Sequence, residues 1–318
     1  VKPLNNWRYD LQRSLDPEIK EILRTLRETG SPPFAELRPA EIRTRISKLY
    51  EAMPAAPEVG AIEDVEIPST AEALPARRFR AESQPATGSI LYFHAGGWVG
   101  GSIDDSEALC RALVVASGCD VLSVGYRLAP EHPFPAAVDD ADAALRWLLN
   151  DEPDGRIVLL GDGAGGNLAA VLARHSQERG ESPRIALQVL IYPIVDCAMD
   201  TSSYAEHTSR LIVNNLDMRW FWELYAPDPE VRRSPDASPL RARQLTGLPP
   251  ALILVAERDP VRDEGLAYAR RLVESGVEVT IDDYPGLIHG FFALVGVLGA
   301  ADSAVEAVSA TIATFLAR

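Results

Sequence analysis

Apolar and polar positions change rhythm near residue 60. From about 15 to 50 the chain is charged, with apolar residues at helical spacing. Ile19, Ile22, Leu23 and Leu26 share one face, and Pro17 stands where a first helical residue would. After that, strand-like runs take over at about 61–67, 75–81, 89–94, 120–125, 156–161, 185–192, 251–256 and 277–284. Helical stretches at 104–117, 136–149, 166–178 and 261–275 separate most of the later runs, and 301–317 reads as a closing helix. Gly276 is placed to stop the helix before it. Runs such as Ile157-Val-Leu-Leu and Ala251-Leu-Ile-Leu-Val-Ala are apolar throughout, as expected of parallel strands covered by helices on both faces. Alternation at this spacing predicts an α/β fold with a mostly parallel, doubly wound central sheet. Residues 1–50 are expected to form N-terminal cap helices and 51–318 the main domain. A lid insertion is expected at about 198–240, where Trp220, Phe221, Trp222, Tyr225 and several prolines interrupt the alternation.

Composition narrows the function classes. At 318 residues, 47% hydrophobic and 24% charged, the chain can bury a large core and is far from disorder. Its net charge of −15 repels phosphate backbones and anionic lipid, so neither nucleic acid nor a membrane surface is an expected partner. Three cysteines, Cys110, Cys119 and Cys197, are too few and too odd in number for a disulfide framework, and no Cys/His cluster suggests metal. The richest apolar stretch, 290–301, is too short to span a bilayer. No signal peptide is visible, which makes the cytoplasm the expected location.

Gly161-Asp-Gly163-Ala-Gly-Gly166 follows a strand and opens a helix, and fits G-x-G-x-x-G to the letter. A dinucleotide site would also need an acid about 20 residues on, at the end of the next strand. The first acid past that strand is Asp196, 30 residues after Gly166, and the motif sits mid-chain. With serine in place of Gly163, the same segment would be the G-x-S-x-G nucleophile elbow. That turn holds its central residue at positive φ, a conformation glycine adopts without a Cβ penalty, so the elbow should survive the loss of serine.

The motif has company. His94-Ala-Gly-Gly-Trp98 ends the strand at 89–94, and its adjacent glycines can aim N–H groups at a developing oxyanion. Asp259 lies just past the strand at 251–256, and His289 just past the strand at 277–284. Both belong at the carboxyl ends of parallel strands, where such sheets carry their chemistry. Asp259 would orient the imidazole and His289 would act as general base; the order 163, acid, histidine is that of the α/β-hydrolases.

The sequence resembles the hormone-sensitive-lipase-like family of carboxylesterases. The resemblance rests on His94-Ala-Gly-Gly, Tyr126-Arg-Leu-Ala-Pro-Glu-His-Pro-Phe-Pro-Ala-Ala, the 161–169 segment, Ile191-Tyr-Pro, Asp259-Pro-Val-Arg-Asp-Glu-Gly and Tyr284-Pro-Gly-Leu-Ile-His-Gly-Phe. It implies the α/β-hydrolase fold with a helical cap, hydrolysis of short- to medium-chain carboxylic esters, no cofactor, and a small-molecule ester as partner. It also implies an oxyanion hole from the N–H groups of Gly96, Gly97 and Ala164, and allows a homodimer through the last strand and helix. Gly163 departs from the family pattern: without a hydroxyl no acyl-enzyme forms, and the chain as written is expected to be inactive or nearly so.

Three readings follow. The chain is an esterase whose serine has been replaced, or a serine-less hydrolase in which His289 and Asp259 activate water or take a substrate proton, or a protein that binds a small ligand without turnover. Cys197 is the one other nucleophile near the right edge and reads as structural, as do Asp162, a turn acceptor, and His132, His175 and His207, which lack partners suggesting catalysis.

Overall fold

The computed structural model describes residues 14–206 and 212–318 except 29, 31, 70 and 71; His207 and the first part of the expected N-terminal segment therefore lie outside the described residues. Eight strands form one sheet: β1 (Ala61–Ile67), β2 (Leu74–Arg80), β3 (Ser89–Phe93), β4 (Asp120–Val124), β5 (Ile157–Asp162), β6 (Ile185–Ile191), β7 (Ala251–Arg258) and β8 (Val279–Ile288). Their order is β1-β2-β4-β3-β5-β6-β7-β8, with antiparallel pairing at β1–β2 and β2–β4 and parallel pairing elsewhere. The mostly parallel sheet is what the strand and helix rhythm predicts, and the whole is the α/β-hydrolase fold that the resemblance implies.

Sequential strands β3 and β4 are neighbours, but β5 returns to the other side of β3. This reversal of direction is the switch point at which the loops after two adjacent parallel strands diverge and leave a crevice. β5 is buried from end to end, and so is β7 up to Ala256, which explains their unbroken apolar runs.

Helices α3 (Glu107–Ser117) and α10 (Gly299–Leu316) pack together on one face. On the other lie α4 (Ala136–Asp151), α5 (Ala164–Glu178) and α9 (Arg262–Glu274). The expected charged N-terminal stretch is two helices, α1 (Pro17–Glu28) and α2 (Pro39–Glu51), and the 198–240 insertion carries α6 (Ser202–Glu206), α7 (Asn215–Tyr225) and α8 (Pro229–Arg232).

These two segments meet over the carboxyl ends of the strands. Ala35 N–H donates to Asp217 Oδ1 at 2.9 Å, and the Phe34 and Phe221 rings lie 5.9 Å apart. Asn214 starts α7 as an N-cap, accepting from Leu216 and Asp217 N–H, while Asp217 answers to the Asn214 N–H. Trp98, fully buried, stacks on Tyr225 at 4.1 Å and meets Trp222 at 4.9 Å, which fastens α7 to the loop after β3. Each such pair contributes about 0.5–1.5 kcal/mol beyond its buried area. Arg43 of α2 adds a polar fastening, donating to Val99 O at 2.9 Å and Ala129 O at 3.0 Å while pairing with Glu131.

Candidate active site

Gly163 occupies the turn between β5 and α5 with φ 55° and ψ −111°. The turn is held on both sides: Gly163 N–H donates to Ile191 O at 2.9 Å, and Gly163 O accepts from Asn167 N at 3.1 Å and Ile194 N at 3.2 Å. The neighbouring glycines let the helix press against the strand. A Cβ on Gly165 would lie 1.8 Å from Phe93 O, and one on Gly161 would lie 2.2 Å from Gly165. Gly161 and Gly165 are therefore explained by close strand–helix packing. Asn167, fully buried, donates through Nδ2 to Ile194 O and Ala237 O, both at 2.8 Å, and so ties the helix to the loop after β6.

Asp259 and His289 come together from β7 and β8. Asp259 is completely buried; its Oδ1 accepts from Val261 N–H at 2.9 Å and its Oδ2 faces His289 Nδ1 at 2.8 Å. Glu257, one residue pair upstream, accepts from Gly286 N–H at 2.7 Å and fixes the last turn of chain before His289. The Tyr192 ring packs against the imidazole at 4.6 Å between centroids. Burial by itself pushes His289 down, but the Asp259 carboxylate, its hydrogen bond and the more distant Asp162 together outweigh that, and the net direction is up.

His289 Nε2 points at Gly163. A Cβ built on the glycine would have Nε2 at 3.2 Å and Cε1 at 3.6 Å as its nearest neighbours, followed by Ala95 Cβ at 3.8 Å. A hydroxyl carried on that Cβ would fall within hydrogen-bond reach of the imidazole, the relation a base needs to its nucleophile.

The loop after β3 lies beside the elbow because β3 and β5 are adjacent. Three successive residues, Gly96, Gly97 and Trp98, have φ of 120°, 60° and 61°, a run of left-handed backbone that favours glycine. Neither Gly96 nor Gly97 N–H has a partner among the described residues, and Ala164, first residue of α5, has none within its helix. A Cβ on Gly97 would lie 2.4 Å from the Phe221 ring, so only glycine fits between that loop and α7.

His94 anchors the start of this loop. Its Nδ1 donates to Ala95 O at 2.6 Å, its ring stacks on Tyr126 at 4.3 Å, and Tyr126 O–H donates to His94 O at 2.8 Å. Burial pushes it down to about 4, so it stays neutral and structural. Asp162 is buried and pushed up by desolvation, accepting from Tyr92 O–H at 2.8 Å and Tyr192 O–H at 3.2 Å; it braces strand ends, as its place beside the turn implies.

A pocket with about 120 Å³ of free volume opens onto His289, Gly96 and Gly97. Helix α2 supplies Ile46, Leu49 and Tyr50 to its wall, and the 198–240 insertion supplies Val213, Met218 and Phe221. Of the other residues weighed in the sequence, Cys197 is half-buried, its N–H held by Ser238 Oγ at 3.1 Å, and it does not line this pocket. His175 has a carboxylate partner, with Nε2 3.0 Å from Asp236, because the 234–238 turn folds back over α5. That pair sits in an ion cluster with Arg174, Asp142 and Arg179, away from the pocket. Among the described residues no group of His, Cys, Asp or Glu is arranged to hold a metal ion, and no helix is long and apolar enough to cross a membrane.

Residues 90–293 match the family model of the alpha/beta hydrolase fold. The chain is 38% identical over 293 residues to the carboxylic ester hydrolase LipN of Mycobacterium tuberculosis, covering 88% of this chain and 78% of that one. It is 39% identical over 237 residues to an ethyl acetate hydrolase of Pseudomonas putida, covering 72% and 74%. The chain belongs to the hormone-sensitive-lipase-like carboxylesterases. Its structure also matches an ester hydrolase from the metagenome of Lake Arreo, solved with a bipyridine phosphonate derivative, at TM-score 0.90 and 36% identity over 96% of this chain and 100% of that one.

As a carboxylesterase-type hydrolase the chain has features that the sequence reading missed. Tyr126 and Asn167 lay inside the motifs but had no stated task. Phe34, Arg43 and Tyr50 carried no signal, because a helix-spaced aromatic or arginine looks the same whether it covers a pocket or faces water.

Proposed function

We propose that this chain carries the ester-hydrolysing apparatus of its family with the nucleophile position filled by Gly163. Asp259 orients His289 and stabilises its imidazolium, His289 Nε2 is the base, and the N–H groups of Gly96, Gly97 and Ala164 receive the oxyanion. The apolar pocket takes the acyl group of a short- to medium-chain carboxylic ester, in keeping with the ethyl acetate hydrolase named among the relatives. The N-terminal helices and the 198–240 insertion act together as the cap. The observation that carries this reading is the 3.2 Å between a Cβ on Gly163 and His289 Nε2, with Nδ1 already engaged by Asp259.

As written, the chain forms no acyl-enzyme. Losing the nucleophile of such a site lowers turnover by about 10⁶-fold and leaves about 10³- to 10⁴-fold over water from the oxyanion donors and binding. Water activated by His289 carries the residual reaction. Hydrolysis of p-nitrophenyl acetate, butyrate and octanoate by the chain and by Gly163→Ser tests this. A gain of about 10³-fold or more on the shorter esters is the expected result. Equal, background-level rates in both proteins would overturn the reading.

A further inference from the structure

We propose that the ester pocket is built for an acyl group carrying a hydrogen-bond donor, a hydroxyl or an ammonium, and that Asp105 is the residue that receives it. This inference rests on the ester-site reading above and deepens it by naming the substrate class.

The pocket is apolar over most of its wall, and the polar side chains around the reacting centre already have partners. Asp162 accepts from Tyr92 and Tyr192, His289 Nδ1 faces Asp259, and His94 Nδ1 is turned to Ala95 O. Ser106 Oγ donates to the Ser102 and Ile103 carbonyls, both at 3.1 Å. Asp105 is different. It lines the pocket with 8% of its surface exposed, and among the described residues no arginine, lysine or histidine pairs with it. Its neighbours in the chain show the contrast. Asp104 pairs with Arg77 at 2.7 Å, and Glu107 pairs with Arg77 at 3.0 Å and with Arg111. Those two carboxylates are neutralised; Asp105 is not.

The Asp105 carboxyl lies between the loop after β3 and α2, where the hydroxyls of Ser102 and Ser47 meet it. Burial pushes it up, the two hydroxyls pull it down, and Asp104 and Glu51 push it up again, so the net direction is up. A buried carboxyl without a cation is costly, and a donor that arrives with the substrate removes part of that cost. Like charges nearby decide which group is welcome: a hydroxyl or an ammonium is attracted, and a second carboxylate is repelled. The Tyr50 phenol lines the same pocket. Burial, Asp162 and Asp105 all push it up, so it stays protonated and can hydrogen-bond the same incoming group. An unsubstituted acyl chain covers the Asp105 carboxyl and offers it nothing.

Substrate choice by Gly163→Ser is the readout. The esters are p-nitrophenyl heptanoate, 6-hydroxyhexanoate, 6-aminohexanoate and the monoester of adipic acid, with methyl, hydroxyl, ammonium and carboxylate ends on chains of similar length. Pentanoate against 3-hydroxybutyrate repeats the methyl–hydroxyl comparison at shorter reach. A hydrogen bond to a charged acceptor is worth about 10- to 100-fold. The hydroxyl and ammonium esters are therefore expected to exceed the methyl-ended ester in kcat/KM by about tenfold or more, at one reach at least, with the carboxylate ester lowest. Asp105→Leu is expected to bring the hydroxyl-to-methyl ratio to about one or below. Asp105→Asn, which keeps the shape of the side chain should leucine fail to fold, is expected to lose the preference for ammonium and keep part of that for hydroxyl. A ratio taken within one protein is not moved by a general loss of activity. In the unmodified chain, calorimetric titration is expected to show methyl 6-hydroxyhexanoate binding more tightly than methyl heptanoate. Equal kcat/KM for methyl and hydroxyl ends at both lengths in an active Gly163→Ser, or a preference that survives Asp105→Leu, overturns the donor proposal alone. A carboxylate ester as good as the hydroxyl ester assigns the preference to polarity at large and also overturns it. A Gly163→Ser inactive on every ester overturns the ester-site reading and this inference with it.

Discussion

A serine at position 163 that keeps the turn must adopt φ 55° and ψ −111°, a region that L side chains rarely visit. Backbone strain of that kind costs about 1–3 kcal/mol. The Cβ also presses on His289 Nε2 at 3.2 Å, so the imidazole must yield by a few tenths of an ångström. Against this, replacing glycine reduces the freedom of the unfolded chain and returns about 0.4–1 kcal/mol. The net expectation is that Gly163→Ser is less stable by about 1–2 kcal/mol. For a chain of 318 residues the unfolding entropy is about 0.7 kcal/mol/K, which turns that loss into a Tm lower by about 1.5–3 °C. Thermal and urea unfolding of the glycine, serine and alanine forms checks the reasoning. Serine and alanine should fall together, because the cost lies in the Cβ and not in the hydroxyl. Variants as stable as the glycine chain would refute the claim that the turn is strained for any side chain.

The other expected outcomes concern the parts around that turn. In the Gly163→Ser background, activity requires neutral His289. Its conjugate acid is held up by Asp259, so the acidic limb of the kcat/KM profile should lie above the ordinary histidine value of about 6.5. Asp259→Asn should lower kcat by about 10⁴-fold and move that limb down, since burial then acts unopposed by the carboxylate. In the same background, Gly97→Ala should cost about 10²–10³-fold in kcat, because its Cβ meets the Phe221 ring at 2.4 Å and the N–H must swing away from the oxyanion. In the unmodified chain, Asn167→Ala strands two buried carbonyls, of Ile194 and Ala237, and should lower stability by about 1–3 kcal/mol for each, read by urea unfolding.

How much of this was legible in the sequence varies by element. The run 61–67 is a strand over the expected residues because Gly60 and Pro68 bracket it. The strand expected at 277–284 instead runs from Val279 to Ile288, so His289 follows it directly. Glu257 extends that strand by accepting from Gly286 across the sheet, a tertiary contact that local pattern does not encode. The elbow and the loop after β3 were legible because close approach leaves glycine as the fitting residue at several neighbouring positions, and that constraint is written in the chain. The pocket wall was not. Ile46, Leu49 and Tyr50 sit on a helix whose charged pattern reads as a solvated surface, and what they cover is decided by how α2 folds back over the strands. His175 shows the same limit in a polar setting, because its partner Asp236 is 61 residues away.

The most direct test of Gly163 as the nucleophile position is rapid-quench analysis of Gly163→Ser with p-nitrophenyl butyrate. The expected result is a burst of p-nitrophenol equal to the enzyme present, with the butyryl group found by peptide mass spectrometry on residue 163, and neither burst nor label in the glycine chain. A serine form that releases p-nitrophenol without a burst and carries no acyl group at 163, or carries it elsewhere, would contradict the assignment of Gly163, His289 and Asp259 to one catalytic site.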